Sequence, residues 1–206
     1  MPLLCAARAL IENQIFLPAH SGGMECFMEL KGSKTEANLM AAFAGESQAR
    51  NKYTFYASKA RKEGYQQIGD IFEMTANNEK EHAELWYKYL HGGAVGDTLS
   101  NLQDGAAGEH YEWSEMYKEF AETAREEGFT EIASVMTLIA NIEKEHEERY
   151  LKLAQNMKEN RVFQKDAPVV WICRNCGHVH IGASAPGVCP ACKHPQAYFE
   201  LRAENY

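Results

Sequence analysis

A seven-residue word occurs twice in the chain, as Ala76-Asn77-Asn78-Glu79-Lys80-Glu81-His82 and Ala140-Asn141-Ile142-Glu143-Lys144-Glu145-His146. The copies differ at one position, and each sets a Glu and a His three residues apart: Glu79/His82 and Glu143/His146. On a helix, positions i and i+3 share a face, so each copy can present a carboxylate and an imidazole to one point. A single Glu-x-x-His carries little information, because helices are rich in Glu. Two of them on apolar stripes point to metal ligation.

Four segments with helical periodicity position these residues. The first opens on the capping-box pattern Ser33-x-x-Glu36 and runs to about Gly64, with Glu46 on a stripe from Leu39 to Ala60. The second, about 65–91, carries Ile68, Phe72, Glu79, His82 and Trp86 on its stripe and stops at Gly92-Gly93. The loop from Ala94 to about Ser100 is short. The third holds Glu109 among Leu102, Ala106, Trp113 and Phe120, and the fourth, about 129–160, holds Glu143 and His146. Four such helices with short connections predict a mainly α, antiparallel four-helix bundle.

The halves repeat. Residues 59–84 shifted by 64 onto 123–148 give twelve identities, whereas Ala44-Gly45-Glu46 matches Ala107-Gly108-Glu109 at 63 and Tyr53 matches Tyr117 at 64. One extra residue therefore enters the third helix between Glu109 and Tyr117. Single-residue insertions of this kind are accommodated as π-bulges, which is the expectation here.

Burying an uncompensated carboxylate costs several kcal/mol, so four in one core demand a strong positive charge. Two divalent metals supply it. One Glu from each of two helices plus Glu-x-x-His from each of the other two is the di-iron or di-manganese carboxylate pattern, provided here by Glu46, Glu109, Glu79/His82 and Glu143/His146. Glu112, three residues after Glu109, either reaches the same face or lies on the surface. Tyr53 and Tyr117 pack in the core or hydrogen-bond ligand carboxylates. Glu81, Glu84, Glu145, Glu147 and Glu148 read as a solvated face, and His91 and His110 have no assignment.

After Asn160 the composition shifts to Gly and Pro, with Cys173-x-x-Cys176 and Cys189-x-x-Cys192. Four thiolates at this spacing hold zinc or iron in a small β-rich module, and softness alone does not choose between the two. His178, His180 and His194 read as surface, because four sulfurs saturate such a site. At 206 residues and a net charge of -8, the chain fits one ordinary domain plus a small one and lacks the basic face that nucleic acid requires. No run approaches the ~20 apolar residues of a membrane span. CxxC pairs of this kind predict a reducing cytoplasm. Residues 1–27 lack the basic start of a signal peptide and read as a dispensable extension, with Met24 or Met28 as possible starts.

The stretches Gly45-Glu46-Ser-Gln-Ala-Arg50-Asn51, Glu79-Lys-Glu-His82-Ala83, Ala107-Gly108-Glu109-His-Tyr-Glu112 and Glu143-Lys-Glu-His146 resemble rubrerythrin. So does the tail from Trp171 to Cys192, and the resemblance covers about Met28 to the C-terminus. It implies a ferritin-like di-iron bundle over 28–162 and a rubredoxin-like domain over 163–206 with one iron on Cys173, Cys176, Cys189 and Cys192. It also implies that Glu46, Glu79, Glu109, Glu112, Glu143 and His146 ligate the two irons, with His82 exchanging against Glu112 as one iron changes oxidation state.

The implied activity is a peroxidase in oxidative-stress defence, reducing hydrogen peroxide to water. Its electrons come from NAD(P)H through rubredoxin or a reductase and pass from the four-thiolate iron to the iron pair. His146 to Asn160 is fourteen helical steps, ~21 Å, which is long for transfer within one chain. A head-to-tail homodimer placing each rubredoxin-like domain on its partner's bundle is therefore expected. The rival readings are a ferroxidase or iron-storage bundle and a non-enzymatic metal sensor with a zinc ribbon.

Overall fold

The computed structural model describes residues 29–205. The expected extension at 1–27, with Cys5 and Cys26, lies outside them. The chain divides into two compact units, one ending at Val95 and the other beginning at Gly96.

The first unit is a helical hairpin of α1 (Lys34–Lys62) and α2 (Gln66–Leu90). Ser33 caps α1 by accepting the Glu36 N–H at 3.0 Å, and the Glu36 carboxylate reaches back to the Gly32 N–H at 2.6 Å. The reciprocal capping of the sequence pattern is thus present, displaced by one residue on its return arm. Gly64, at φ 90°, ends the helix in a left-handed conformation that a side chain would strain. Small residues line the contact between the two helices: Ala57 and Ala60 on α1, and Gly69, Ala76 and Ala83 on α2, are buried. A Cβ at Gly69 would stand 3.2 Å from the Ala57 carbonyl oxygen, so the approach there is close.

The second unit begins with α3 (Thr98–Tyr111), capped by Asp97, whose carboxylate accepts the Ser100 N–H at 2.7 Å. A π-helical turn follows over Glu112–Met116, and α4 (Tyr117–Glu126) continues the same rod. The Tyr117 N–H donates to the Glu112 carbonyl, five residues back. The extra residue counted from the repeat is absorbed at this turn, as the break in offset predicts. Gly128, at φ 89°, turns the chain into α5 (Thr130–Lys158).

Asn160 adopts φ 55° at the end of α5, and Arg161 pairs with Asp166 through two contacts of 3.0 and 2.6 Å as the chain turns into strand. The sheet has the order β2-β1-β3, built from β1 (Gln164–Cys173), β2 (Val179–Ser184) and β3 (Phe199–Leu201), all antiparallel. Its register slips between Gln164 and Val169, where Pro168 has no N–H to give the ladder. Trp171, Cys173, Ala185, Cys189 and Phe199 form its core, and the Trp171 indole N–H donates to the Gly182 carbonyl at 3.0 Å. The change from helix to strand falls between Lys158 and Gln164, beside the expected boundary at 162/163. None of the helices among the described residues is long and apolar enough to cross a membrane.

Candidate metal centres

Each unit brings together one Glu from its first helix and the Glu-x-x-His of its second. In the α1–α2 hairpin, His82 Nδ1 stands 2.9 Å from Glu79 Oε2 and 3.8 Å from Glu46 Oε1. In the second unit, His146 Nδ1 stands 2.7 Å from Glu143 Oε2 and 3.7 Å from Glu109 Oε1. Within each triad the donor atoms lie within 4.8 Å of one another, close enough to hold a metal ion. The two triads agree to within 0.2 Å in both distances, so the sequence repeat is a repeat of geometry. Their exposure differs: the His82 side chain is 50% exposed and that of His146 is 34%.

The electrostatics fit a cation. Burial, followed by the Glu143 carboxylate, holds Glu109 above the usual carboxylate range. Tyr117 is raised by burial and then by Glu112, Glu143 and Glu109, so this phenol faces the acidic cluster. Glu112 lies outside the Glu109–Glu143–His146 group, at the first position of the π turn. Tyr53 packs against the rings of Tyr56 and Phe72, with centroids 6.1 and 6.2 Å away.

One expectation needs correcting. Glu147 belongs to no solvated face: its side chain is only 15% exposed, and it accepts from the Trp113 indole N–H while facing His110 Nδ1 at 3.0 Å. It ties the π turn to α5 and gives His110 a partner. The counterpart of Glu147 in the first half is the buried Ala83, so the repeat gave no sign of this role. The remaining flanking carboxylates behave as foreseen, with Glu81, Glu84 and Glu148 in ion pairs to lysines on their own helices. His91 stacks on Tyr87 with ring centroids 3.9 Å apart, at the end of α2.

The cysteines converge. Cys173 Sγ to Cys192 Sγ and Cys176 Sγ to Cys189 Sγ are each 3.7 Å. A tetrahedron with metal–sulfur bonds of about 2.3 Å has edges of about 3.8 Å, so the four sulfurs fit one metal ion. Two matching knuckles make this geometry. Gly177 N–H donates to the Cys173 carbonyl at 2.8 Å, and Lys193 N–H to the Cys189 carbonyl at 3.0 Å. Gly177 and Lys193 take φ 76° and 63° to do so. The His194 backbone N–H is the first cause that lowers Cys192, to about 5. At Cys176 the His178 N–H pulls down, but the Cys192 sulfur, burial and the other two sulfurs outweigh it and push the thiol up to about 12. Such competition for protons is what a bound cation relieves. His178, His180 and His194 stay outside the sulfur group and are half-buried rather than freely exposed.

The geometry accords with what the chain is similar to. Residues 37–154 match the family model described as rubrerythrin, and residues 171–200 match that of the rubrerythrin rubredoxin-like domain. Rubrerythrin-1 of Clostridium acetobutylicum is 52% identical over 192 residues, covering 86% of this chain and 98% of its own. Rubrerythrin of Porphyromonas gingivalis is 52% identical over 188 residues, covering 86% and 94%, and that of Nitratidesulfovibrio vulgaris 51% over 188, covering 86% and 98%. Since 86% of 206 residues is about 177, the first match leaves about 15 positions of the relative without a counterpart here.

Proposed function

The chain belongs to the rubrerythrin family, a family of iron-dependent oxidoreductases with a di-iron centre and a rubredoxin-like iron, and from that premise we propose that it is a peroxidase reducing hydrogen peroxide to water. The observation that carries this reading is that one chain holds two matched Glu-Glu-His triads and a four-sulfur cluster. In this reading residues 28–162 form the ferritin-like di-iron domain and 163–206 the rubredoxin-like domain.

Glu46, Glu79, Glu109, Glu112, Glu143, His82 and His146 would hold the two irons, and Cys173, Cys176, Cys189 and Cys192 the third. A ferrous pair bound there supplies the two electrons that break the O–O bond of hydrogen peroxide. The protein supplies the rest. Glu79 and Glu143 are each tied to the histidine one turn on, which orients both side chains of each Glu-x-x-His. Glu112, at the π turn outside its triad, and His82, the more exposed histidine, would be the pair that exchanges as one iron changes oxidation state. A carboxylate of this cluster would carry the proton that the departing oxygen needs. The Tyr117 hydroxyl faces the same acidic group and orients it. Electrons arrive from NAD(P)H through rubredoxin or a reductase, by way of the four-thiolate iron. A head-to-tail dimer in a reducing cytoplasm completes the picture.

Stopped-flow mixing of the fully reduced protein with peroxide and, separately, with oxygen tests the assignment. Oxidation much faster with peroxide, without mineral, is the expected result. Faster reaction with oxygen and growth of a ferric mineral would overturn it in favour of a ferroxidase. A colourless four-sulfur site would instead point to a zinc ribbon.

A further inference from the structure

We propose that Glu147 is a positioning residue for Glu112: it clamps the side chains on either side of Glu112 to α5, which fixes where the π turn falls and so how Glu112 is presented. The proposal rests on the di-iron reading above, in which Glu112 is the carboxylate that exchanges.

One carboxylate makes the clamp. Glu147 accepts the Trp113 indole N–H on Oε2, and its Oε1 stands 3.0 Å from His110 Nδ1. His110 and Trp113 meet edge to face, with ring centroids 5.3 Å apart, and in sequence they bracket Tyr111 and Glu112. Lys118 on α4 and Lys144 on α5 stand 5.2 and 5.6 Å from the indole ring, so both helices hold it. The Glu147 side chain is only 15% exposed, and water competes little for its oxygens.

Such a clamp matters because a bulge can slide along its helix. The extra residue has to be absorbed between Glu109 and Tyr117, yet the repeat does not dictate the position. Moving the bulge past a residue turns that residue by about 100° relative to the rest of the helix. A bulge moved past Trp113 would swing the indole off Glu147. With Trp113 bonded, Glu112 stands at the first position of the turn, where its charge acts on both Glu109 and Tyr117.

The first half supplies the contrast. At the offset of 63, His110, Glu112 and Trp113 correspond to Ser47, Ala49 and Arg50, and at 64 Glu147 corresponds to Ala83. Ser47 bonds its own helix through the Phe43 carbonyl at 2.7 Å, and Ala83 is buried. There α1 runs as unbroken α-helix from Lys34 to Lys62. The three clamp residues, the π turn and the additional carboxylate thus occur together in one half and are replaced together in the other.

Two measurements test the clamp. The first is amide hydrogen exchange by NMR on the metal-free chain. In Glu147→Ala the Tyr117 amide, which closes the π turn onto the Glu112 carbonyl, should lose ~10-fold protection relative to the Ala133 amide on α5. Equal losses at Tyr117 and Ala133 would mean general destabilisation and would overturn the proposal. Trp113→Phe, which lacks the donor, should reproduce the local loss, and Glu147→Gln, which keeps an acceptor oxygen, should restore most of the protection. These two milder variants decide the matter if Glu147→Ala does not fold.

The second is the reduction potential of the iron pair in a double-mutant cycle. A carboxylate ligand favours the ferric state. Glu147→Ala should therefore raise the potential, by the equivalent of a ~10-fold loss of ferric preference, the lower end of what outer partners of metal ligands contribute. In a Glu112→Ala background the same substitution should change nothing, because the residue through which it acts is gone. A shift that persisted in that background, or no shift in the wild-type background, would overturn the proposal. Wild-type protein that bound no iron pair would refute the di-iron reading, and the exchange protection of Tyr117 would then decide the clamp by itself.

Discussion

Trp113, in the π turn, donates its indole N–H to the carboxylate of Glu147 on α5. The extra residue that widens the helix is thereby anchored to the helix that carries Glu143 and His146. The same carboxylate faces His110 at 3.0 Å, so one half-buried group serves two donors. Lys118 and Lys144 lie 5.2 and 5.6 Å from the Trp113 ring, which adds cation–π attraction at this point.

Glu147→Ala leaves the Trp113 donor without its acceptor in a partly buried place. Such a loss costs about 1–3 kcal/mol, and at about 2–4 °C per kcal/mol for a chain of this size the melting temperature should fall by several degrees. Glu147→Gln, which keeps one acceptor oxygen, should cost less. Thermal melts followed by circular dichroism decide, and an unchanged melt of the Ala variant would show that the anchor does not matter.

Deleting Ser114 should convert the π turn to ordinary helix. The deletion rotates Glu109 by about 100° relative to Tyr117 and everything after it. Iron should fall from three to one per chain, with the four-thiolate colour intact. Ser114→Ala is the control: its hydroxyl is buried and without a hydrogen-bond partner, so its removal should leave metal loading unchanged. Full loading of the deletion variant would refute the positioning role of the turn.

Asp97 is held below its ordinary value of 3.8, first by the Ser100 backbone N–H that it caps and then by the Ser100 side chain. A folded pKa depressed below the unfolded one gives stability that is present above the unfolded pKa and lost as pH falls through the folded pKa. Acidification below about pH 4 should therefore loosen the start of α3. Asp97→Asn retains a capping oxygen but does not titrate, so the difference between wild type and variant should shrink as the pH falls. Helicity titrations of the two proteins provide the measurement.

Cys173→Ser or Cys189→Ser should remove the third iron and, with it, the order of the sheet. Both sulfurs are buried in the same core as Trp171 and Phe199. The near-UV signal of Trp171 and the visible thiolate band should vanish together, while far-UV helicity and the iron pair remain. Persistence of the Trp171 signal without metal would show that the sheet core stands on its own.

The candidate ligand residues were legible because they are written twice. The repeated Glu-x-x-His fixed the second helix of each half, and the matching Gly-Glu fixed the first. The π turn was legible for the complementary reason, since an offset that changes from 63 to 64 has to be absorbed somewhere between Glu109 and Tyr117. Glu147 was hidden because its partner is thirty-four residues away, and helical periodicity records only neighbours on one helix. The division at Val95/Gly96 was hidden for a topological reason. Short connections and a ferritin-like bundle were both expected, yet periodicity says nothing of which chain end meets which.

The left-handed backbone at Gly177 and Lys193 also decides what the sulfur site tolerates by mutation. A β-branched residue at either position would strain the knuckle that presents its cysteines, so two residues outside the sulfur group guard it.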